Sequence, residues 1–244
     1  MQQNKIQILS TKSLLPSMIE SAKKKNIHIT AKEFIAIKPV QSKEIFDEVM
    51  PVVLNESVSS IVFTSANAVE TIKKYLHQGA TFYLPDWDVF CLSGKTKAAL
   101  SPNITEKRIV ASAENASALA QKIIEHNVKE IVFFCGNKRR DELPRILEKA
   151  GVKVKEIIVY ETVETPVISA KEFDGILFFS PSAVSSFFSI NHLDKEAVCF
   201  AIGKTTATSI EKYTDNRIII TESPTQEMTL ETIDFYFKNI NCHE

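Results

Sequence analysis

The chain has almost no net charge, little glycine and no long apolar run, and each shortage removes a class of protein. Lysine and arginine total 29 against 30 aspartate and glutamate, a formal charge of −1. A surface so balanced has no bulk field to hold nucleic acid or an anionic membrane. No apolar stretch approaches the ~18 residues that span a bilayer. The opening MQQNKIQIL has neither signal-peptide anatomy nor an arginine-rich presequence, so a cytoplasmic location is expected. The four cysteines, Cys91, Cys135, Cys199 and Cys242, make no CxxC pair and no Cys/His ligand spacing. Three lie within or at the end of apolar runs, where a cytosolic thiol behaves as a small buried hydrophobe. The five histidines (His28, His77, His126, His192, His243) are scattered, and no metal set or Ser/His/Asp constellation can be assembled. Among the six glycines there is no GxGxxG after a strand. GKT occurs at 94–96 and 203–205, but the position of the first P-loop glycine is Val89 or Val198, which excludes nucleotide hydrolysis.

What the chain does have is centred on residues 131–162, IVFFCGNKRRDELPRILEKAGVKVKEIIVYET. IVFFC is the pattern of a strand buried on both faces. Gly136-Asn137 breaks it, and Lys138, Arg139 and Arg140 follow at the loop-to-helix transition. Asp141 and Glu142 fall in the expected first helical turn, where the helix dipole favours acids. Leu143, Ile146 and Leu147 form an apolar stripe, and Gly151 is placed to end the helix. The chain then runs extended to Tyr160.

The same alternation extends through the chain. Strands are expected at 5–10, 27–37, 60–64, 88–93 and 107–111, and again at 130–135, 152–160, 175–179, 197–202 and 217–221. Helical patterns lie between them at 14–25, 42–54, 66–77, 95–101, 115–126, 139–150, 181–190, 204–213 and 225–239. Buried strands alternating with helices predict an α/β fold with parallel sheets. The two series align: IVFTSANAV (61–69) with ILFFSPSAV (176–184), and FCLSGKTKA (90–98) with CFAIGKTTA (199–207). LLPSMIESAKKKN (14–26) aligns with ELPRILEKAG (142–151), and FIAIKPV (34–40) with IIVYETV (157–163). Four matches in one order predict an internal duplication, hence two similar three-layer domains with sheets of about five strands. The pattern leaves their pairing open. A tandem split near 128 is one possibility. The other uses the extended stretches near 35–41 and 160–168 as crossings.

In open parallel sheets ligands sit beyond the carboxyl ends of the strands. Those ends share one chemistry here: Ser10-Thr11-Lys12, Thr64-Ser65-Ala66-Asn67, Ser93-Gly94-Lys95-Thr96 followed by Lys97, and Gly136-Asn137-Lys138-Arg139-Arg140. The second series adds Ser180-Pro181-Ser182, Gly203-Lys204-Thr205-Thr206 and Ser223-Pro224-Thr225. Small hydroxyl residues and free backbone N–H groups at helix starts make anion sites, although Ser and Thr there are also ordinary caps. Lysine and arginine cluster at the same ends, so a cleft that takes a polycarboxylate is expected. Tyr160 stands out as a phenol at a strand end, a neutral donor at pH 7.

The segment CGN-(K/R)R-x-x-LP-x-x-L-x-x-x-G through VY-x-T resembles the central part of uroporphyrinogen-III synthases. FFSPSAVSSF (178–187), AIGKTTATSI (201–210) and TESPTQEM (221–228) follow in the family's order, and IVFTSANAVE (61–70) carries the first half. The resemblance implies that the first two strands join the last three. One domain would then be 1–37 plus 167–244, and the other 38–166. It implies cyclisation of hydroxymethylbilane, a linear tetrapyrrole with eight carboxylates, with loss of water and inversion of ring D through a spiro intermediate, in haem synthesis. The enzyme so implied needs no cofactor. No exposed heptad or long apolar patch is evident in the sequence, so a monomer is expected, with no nucleic acid, membrane or metal as partner. Tyr160 would be its active-site tyrosine, assisting hydroxyl departure. Thr11, Lys12, Ser65, Asn67, Lys97, Gly136, Asn137, Arg140, Ser180, Ser182, Thr205 and Thr206 would bind substrate. The chain departs from the family pattern at Lys12, Asn67 and Lys97. A non-catalytic two-lobed module for a small anion is the alternative.

Overall fold

The computed structural model describes residues 5–54, 60–76, 86–101, 108–169, 172–222 and 225–240. The chain begins with β1 (Ile6–Ser10), α1 (Pro16–Lys24), β2 (Ile27–Ala31), β3 (Ile35–Pro39), α2 (Lys43–Val53), β4 (Ser60–Phe63) and α3 (Ala66–Leu76). It continues with β5 (Asp88–Leu92), α4 (Lys95–Leu100), β6 (Ile109–Ala113), α5 (Ala116–Glu125), β7 (Glu130–Gly136), α6 (Glu142–Lys149) and β8 (Lys153–Glu164). It closes with β9 (Gly175–Phe178), α7 (Pro181–Phe188), β10 (Val198–Ala201), α8 (Lys204–Ile210), β11 (Ile218–Ile220) and α9 (Gln226–Ile240).

The chain divides into two compact units, Met1–Ala36 with Val163–Glu244, and Ile37–Thr162. The first holds a sheet of five strands in the order β11-β10-β9-β1-β2, paired in parallel throughout. The second is built on a sheet of six, β3-β8-β7-β4-β5-β6, parallel from β8 to β6. The extra strand is β3. Thr165 N–H donates to Phe34 C=O at 2.9 Å and Val40 N–H to Val159 C=O at 3.0 Å, so β3 runs antiparallel to β8. The extended crossings expected from the sequence are therefore strands that pair with each other. The expected strand 27–37 breaks at 32–34, because Phe34 is fully buried against Phe187 in the first unit while Ile35 begins β3.

Each sheet is the middle of three layers, as strand alternation requires. In the second unit Ile61, Phe63, Val89, Cys91, Val132 and Phe134 face Val49 and Val52 of α2, Val69 and Ile72 of α3, and Leu100 of α4. Their neighbours Val62, Phe90, Ile131, Phe133 and Cys135 face Leu119 and Ile123 of α5 and Leu143 and Leu147 of α6. In the first unit Leu9, Ile176, Phe178 and Cys199 meet Val184 and Phe187 of α7 and Ile210 of α8. Ile8, Leu177, Val198 and Phe200 meet Met18 of α1 and Leu230 and Ile233 of α9. The order β2-β1-β9-β10-β11 in one unit has the same pattern as β8-β7-β4-β5-β6 in the other.

Three helix-to-strand junctions close on left-handed residues: Asn26 (φ 60°) after α1, Asn127 (φ 54°) after α5, and Gly151 (φ 80°) after α6. Helix starts are also readable. Ser42, Asn115 and Ser180 cap α2, α5 and α7 by accepting the N–H of Ile45, Ala118 and Ala183. Two starts differ from expectation by more than one residue. Pro16 occupies the first turn of α1 and holds Leu15 extended, so that helix starts two residues late. The helix expected from 139 begins at Glu142, after Asp141.

Candidate functional site

The second unit brings several predicted residues together where β4, β7 and β8 end or turn. Tyr160 lies inside β8 rather than at its end, since β8 runs on to Glu164. Its register partner is Gly136, just past a shift in the pairing after Cys135. The tyrosine ring lies over this glycine. A Cβ at Gly136 would sit 2.4 Å from Tyr160 Cζ and 2.8 Å from its hydroxyl oxygen, so only glycine fits without the ring moving. Buried to 9% exposure, the ring reaches across to the loop after β4, where its hydroxyl donates to Ser65 Oγ at 2.9 Å.

Ser65 Oγ also accepts the N–H of Asn67 at 3.1 Å, and Ser65 C=O accepts the N–H of Val69 at 3.4 Å. The start of α3 is thereby tied to Tyr160. Asn67 contributes that backbone group, and its side chain is exposed. Asn137 clips the other side. Its N–H donates to Tyr160 C=O at 3.2 Å, and its Oδ1 accepts the N–H of Thr162 at 2.9 Å. Four predicted residues, Tyr160, Ser65, Gly136 and Asn137, thus form one connected group with Asn67 beside it.

The basic run after Asn137 is less uniform than the sequence implies. The Arg139 guanidinium is held by Glu156 of β8 and by Asp141. Burial works against its charge, but these hydrogen bonds outweigh burial and raise its pKa. Lys138 and Arg140 are exposed. Sequence reading missed Glu156 as the partner of Arg139, because the two lie on different elements with no shared local pattern.

At the end of β5, Gly94 takes φ 72° as the cap of α4, a conformation that favours glycine, and a Cβ there would meet nothing within 4 Å. Lys97 turns out to line a cavity of about 470 Å³ with Ile109 and Ser112 of β6, Lys122 of α5 and His126 just after that helix. Among the described residues no hydrogen bond joins Lys97 to the Tyr160 group.

In the first unit the predicted residues divide into engaged and exposed ones. Thr11 is 1% exposed, and both its N–H and its hydroxyl donate to Leu177 C=O, at 3.0 and 2.9 Å. Its hydroxyl joins β1 to β9, a structural role the sequence reading did not separate from ligand binding. Lys12 is exposed, in the loop before α1 rather than at a helix start. Glu33 accepts the N–H of the adjacent Ser13 at 2.9 Å and adds a carboxylate there that the reading had not counted. Ser180 and Ser182 are half-buried at the start of α7. Thr205 is exposed and Thr206 is 3% exposed at the start of α8. Ser223 and Pro224 lie outside the described residues, and Thr225 Oγ1 accepts the N–H of Met228 as the cap of α9.

Cys91, Cys135 and Cys199 are buried free thiols, and burial pushes them up to about 11, 12 and 12. Cys242, His77 and His243 lie outside the described residues. Among the described residues no group of three or more His, Cys, Asp and Glu could hold a metal ion. No described helix is long and apolar enough to cross a membrane.

Comparison with known proteins shows the family and the fold. The family model described as Uroporphyrinogen-III synthase HemD matches residues 18–231. A uroporphyrinogen-III synthetase from Helicobacter pylori superposes with a TM-score of 0.66 at 17% identity, covering 93% of this chain and 98% of its own. A mutant uroporphyrinogen III synthase from the extremely thermophilic bacterium Thermus thermophilus superposes with a TM-score of 0.65 at 14% identity, covering 96% of this chain and 99% of its own. At such identities the superpositions establish the fold, and the family match covers all but the two ends of the chain. The chain belongs to the uroporphyrinogen-III synthase family.

Proposed function

We propose that this chain cyclises hydroxymethylbilane to uroporphyrinogen III, with loss of water and inversion of ring D through a spiro intermediate, in haem synthesis. The observation that carries the reading is the family match over residues 18–231. The protein acts as a cytoplasmic monomer and as a cofactor-independent lyase. Departure of the terminal hydroxyl gives an azafulvene. Ring D is attacked at its substituted α-carbon, and the spiro centre reopens and closes inverted. Without the enzyme the flexible bilane closes directly, so the protein's contribution is orientation.

The strand-end chemistry supports this. Backbone N–H groups and hydroxyls at the helix starts, such as those around Ser65, Ser180, Ser182, Thr205 and Thr206, grip carboxylates without a dedicated acid or base. Lys12, Lys138 and Arg140 are exposed at the same ends of the sheets and attract the polyanion. Gly136, Asn137 and Asn67 shape the loops around Tyr160, the residue we assign to the active site. Thr11 contributes through the strand end it fixes, and Lys97 through the charge of α4. The shared strand order of the two units supports their origin in an internal duplication. The reading is tested by following bilane consumption. The protein should accelerate it above the spontaneous rate, with saturation in substrate. A rate equal to spontaneous closure from folded protein contradicts the reading.

A further inference from the structure

We propose that Ser65, rather than Tyr160, is the hydroxyl presented to the substrate, that it donates to a substrate carboxylate, and that Tyr160 acts through it as a positioning residue. The inference rests on the function proposed above. A serine oxygen has two lone pairs and one proton. Both lone pairs of Ser65 Oγ are occupied, one by the N–H of Asn67 at 3.1 Å and one by the Tyr160 hydroxyl at 2.9 Å. A phenol donates more strongly than an aliphatic hydroxyl, which fixes the sense of the second bond. Only the proton of Ser65 is left, and among the described residues no acceptor receives it. Ser65 is half-buried, so that proton is within reach of a ligand.

The consequence is chemical selectivity. A hydroxyl whose lone pairs are both filled can donate but cannot accept. It rewards a carboxylate and offers nothing to an N–H group. The phenol of Tyr160 has already given its proton to Ser65, so its hydroxyl is not the one aimed at ligand. Gly136 completes the device, because a Cβ there would meet the Tyr160 ring at 2.4 Å and displace it from Ser65.

The test is a double-mutant cycle on steady-state kinetics with bilane generated in situ. Ser65→Ala should raise KM about tenfold with kcat within about twofold, the scale of one neutral hydrogen bond. Tyr160→Phe should raise KM by about threefold or more, and adding it to Ser65→Ala should cost nothing further. Ser65→Thr, which keeps the hydroxyl, should restore KM to within about threefold of wild type. Thermal melts establish that each variant is folded, and Ser65→Cys, a weak donor, replaces Ser65→Ala if the latter is not. Losses that multiply in the double variant would show Tyr160 touching substrate directly and overturn the proposal. So would an unchanged KM in Ser65→Ala, or a loss confined to kcat. Wild-type protein that forms no type III isomer overturns this proposal and the function together, whereas type III formation with multiplying losses overturns this proposal alone.

Discussion

The Tyr160 hydroxyl meets Ser65 Oγ at 2.9 Å because the tyrosine ring lies directly on the backbone of Gly136. Two strands and the start of a helix are joined by that contact. Gly136→Ala should therefore push the ring away and destabilise the protein by about 1–3 kcal/mol, the usual cost of overpacking. Thermal unfolding and activity measured on the same sample check it. An unchanged melting temperature with full activity would mean that the ring is not seated on Gly136.

The basic run after β7 has unequal members. Arg139 is committed to Glu156 and Asp141, whereas Lys138 and Arg140 are exposed. Arg139→Met should lower stability and leave KM within about twofold, because it removes a partner from a half-buried carboxylate. Lys138→Gln combined with Arg140→Gln should raise KM and flatten its dependence on salt. A KM effect confined to Arg139 would reverse this division.

The buried thiols predict an alkaline limit. Cys91, Cys135 and Cys199 hold their protons up to about 11, 12 and 12, against 9.0 in the unfolded chain. Their folded values are raised, so the contribution is complete below pH 9.0 and declines as pH rises toward 11–12, where the unfolded chain sheds protons that the folded chain keeps. Melting temperature should fall across that window, and Cys199→Ala should flatten the fall. Peptide mapping after exposure to a thiol reagent at neutral pH should find these three unmodified in folded protein. Rapid modification of any of them would contradict their burial.

Asp234 predicts the acid side. Burial pushes its carboxyl up, but hydrogen bonds from Lys238 and Lys25, each at 2.8 Å, outweigh burial and hold it below its ordinary 3.8. Its folded value is depressed, so its contribution is present above that ordinary value and lost as pH falls through the folded one. Asp234→Asn should cost about 2 kcal/mol at pH 7 and progressively less in acid. Equal losses at pH 7 and pH 3 would show that the charge is not what holds α9 to Lys25.

The layered α/β architecture was legible because buried strands such as IVFFC and helices closed by Gly151 carry local signals. The break at 32–34 was not, since Lys32-Glu33-Phe34 contains no glycine or proline, and the turn is set by Phe34 packing against Phe187. The sixth strand was read as a crossing for the same reason: an extended segment looks alike whether or not it finds a partner. Among the candidate residues, resemblance and loop chemistry named Tyr160, Ser65, Gly136 and Asn137 alongside nine others without setting them apart, and the structure shows that these four are connected. Sequence could not separate Thr11 from the rest, because a hydroxyl bonded to Leu177 and one aimed at ligand are the same letter. Nor could it see that Glu156 neutralises Arg139 across two elements.

The most direct test of the central claim is the isomer ratio of the product. Hydroxymethylbilane is generated in situ, the protein is added, and the porphyrinogens are oxidised and separated as type I and type III. Predominantly type III is the predicted result. Type I alone, formed at the rate of spontaneous closure by protein shown to be folded, would contradict it.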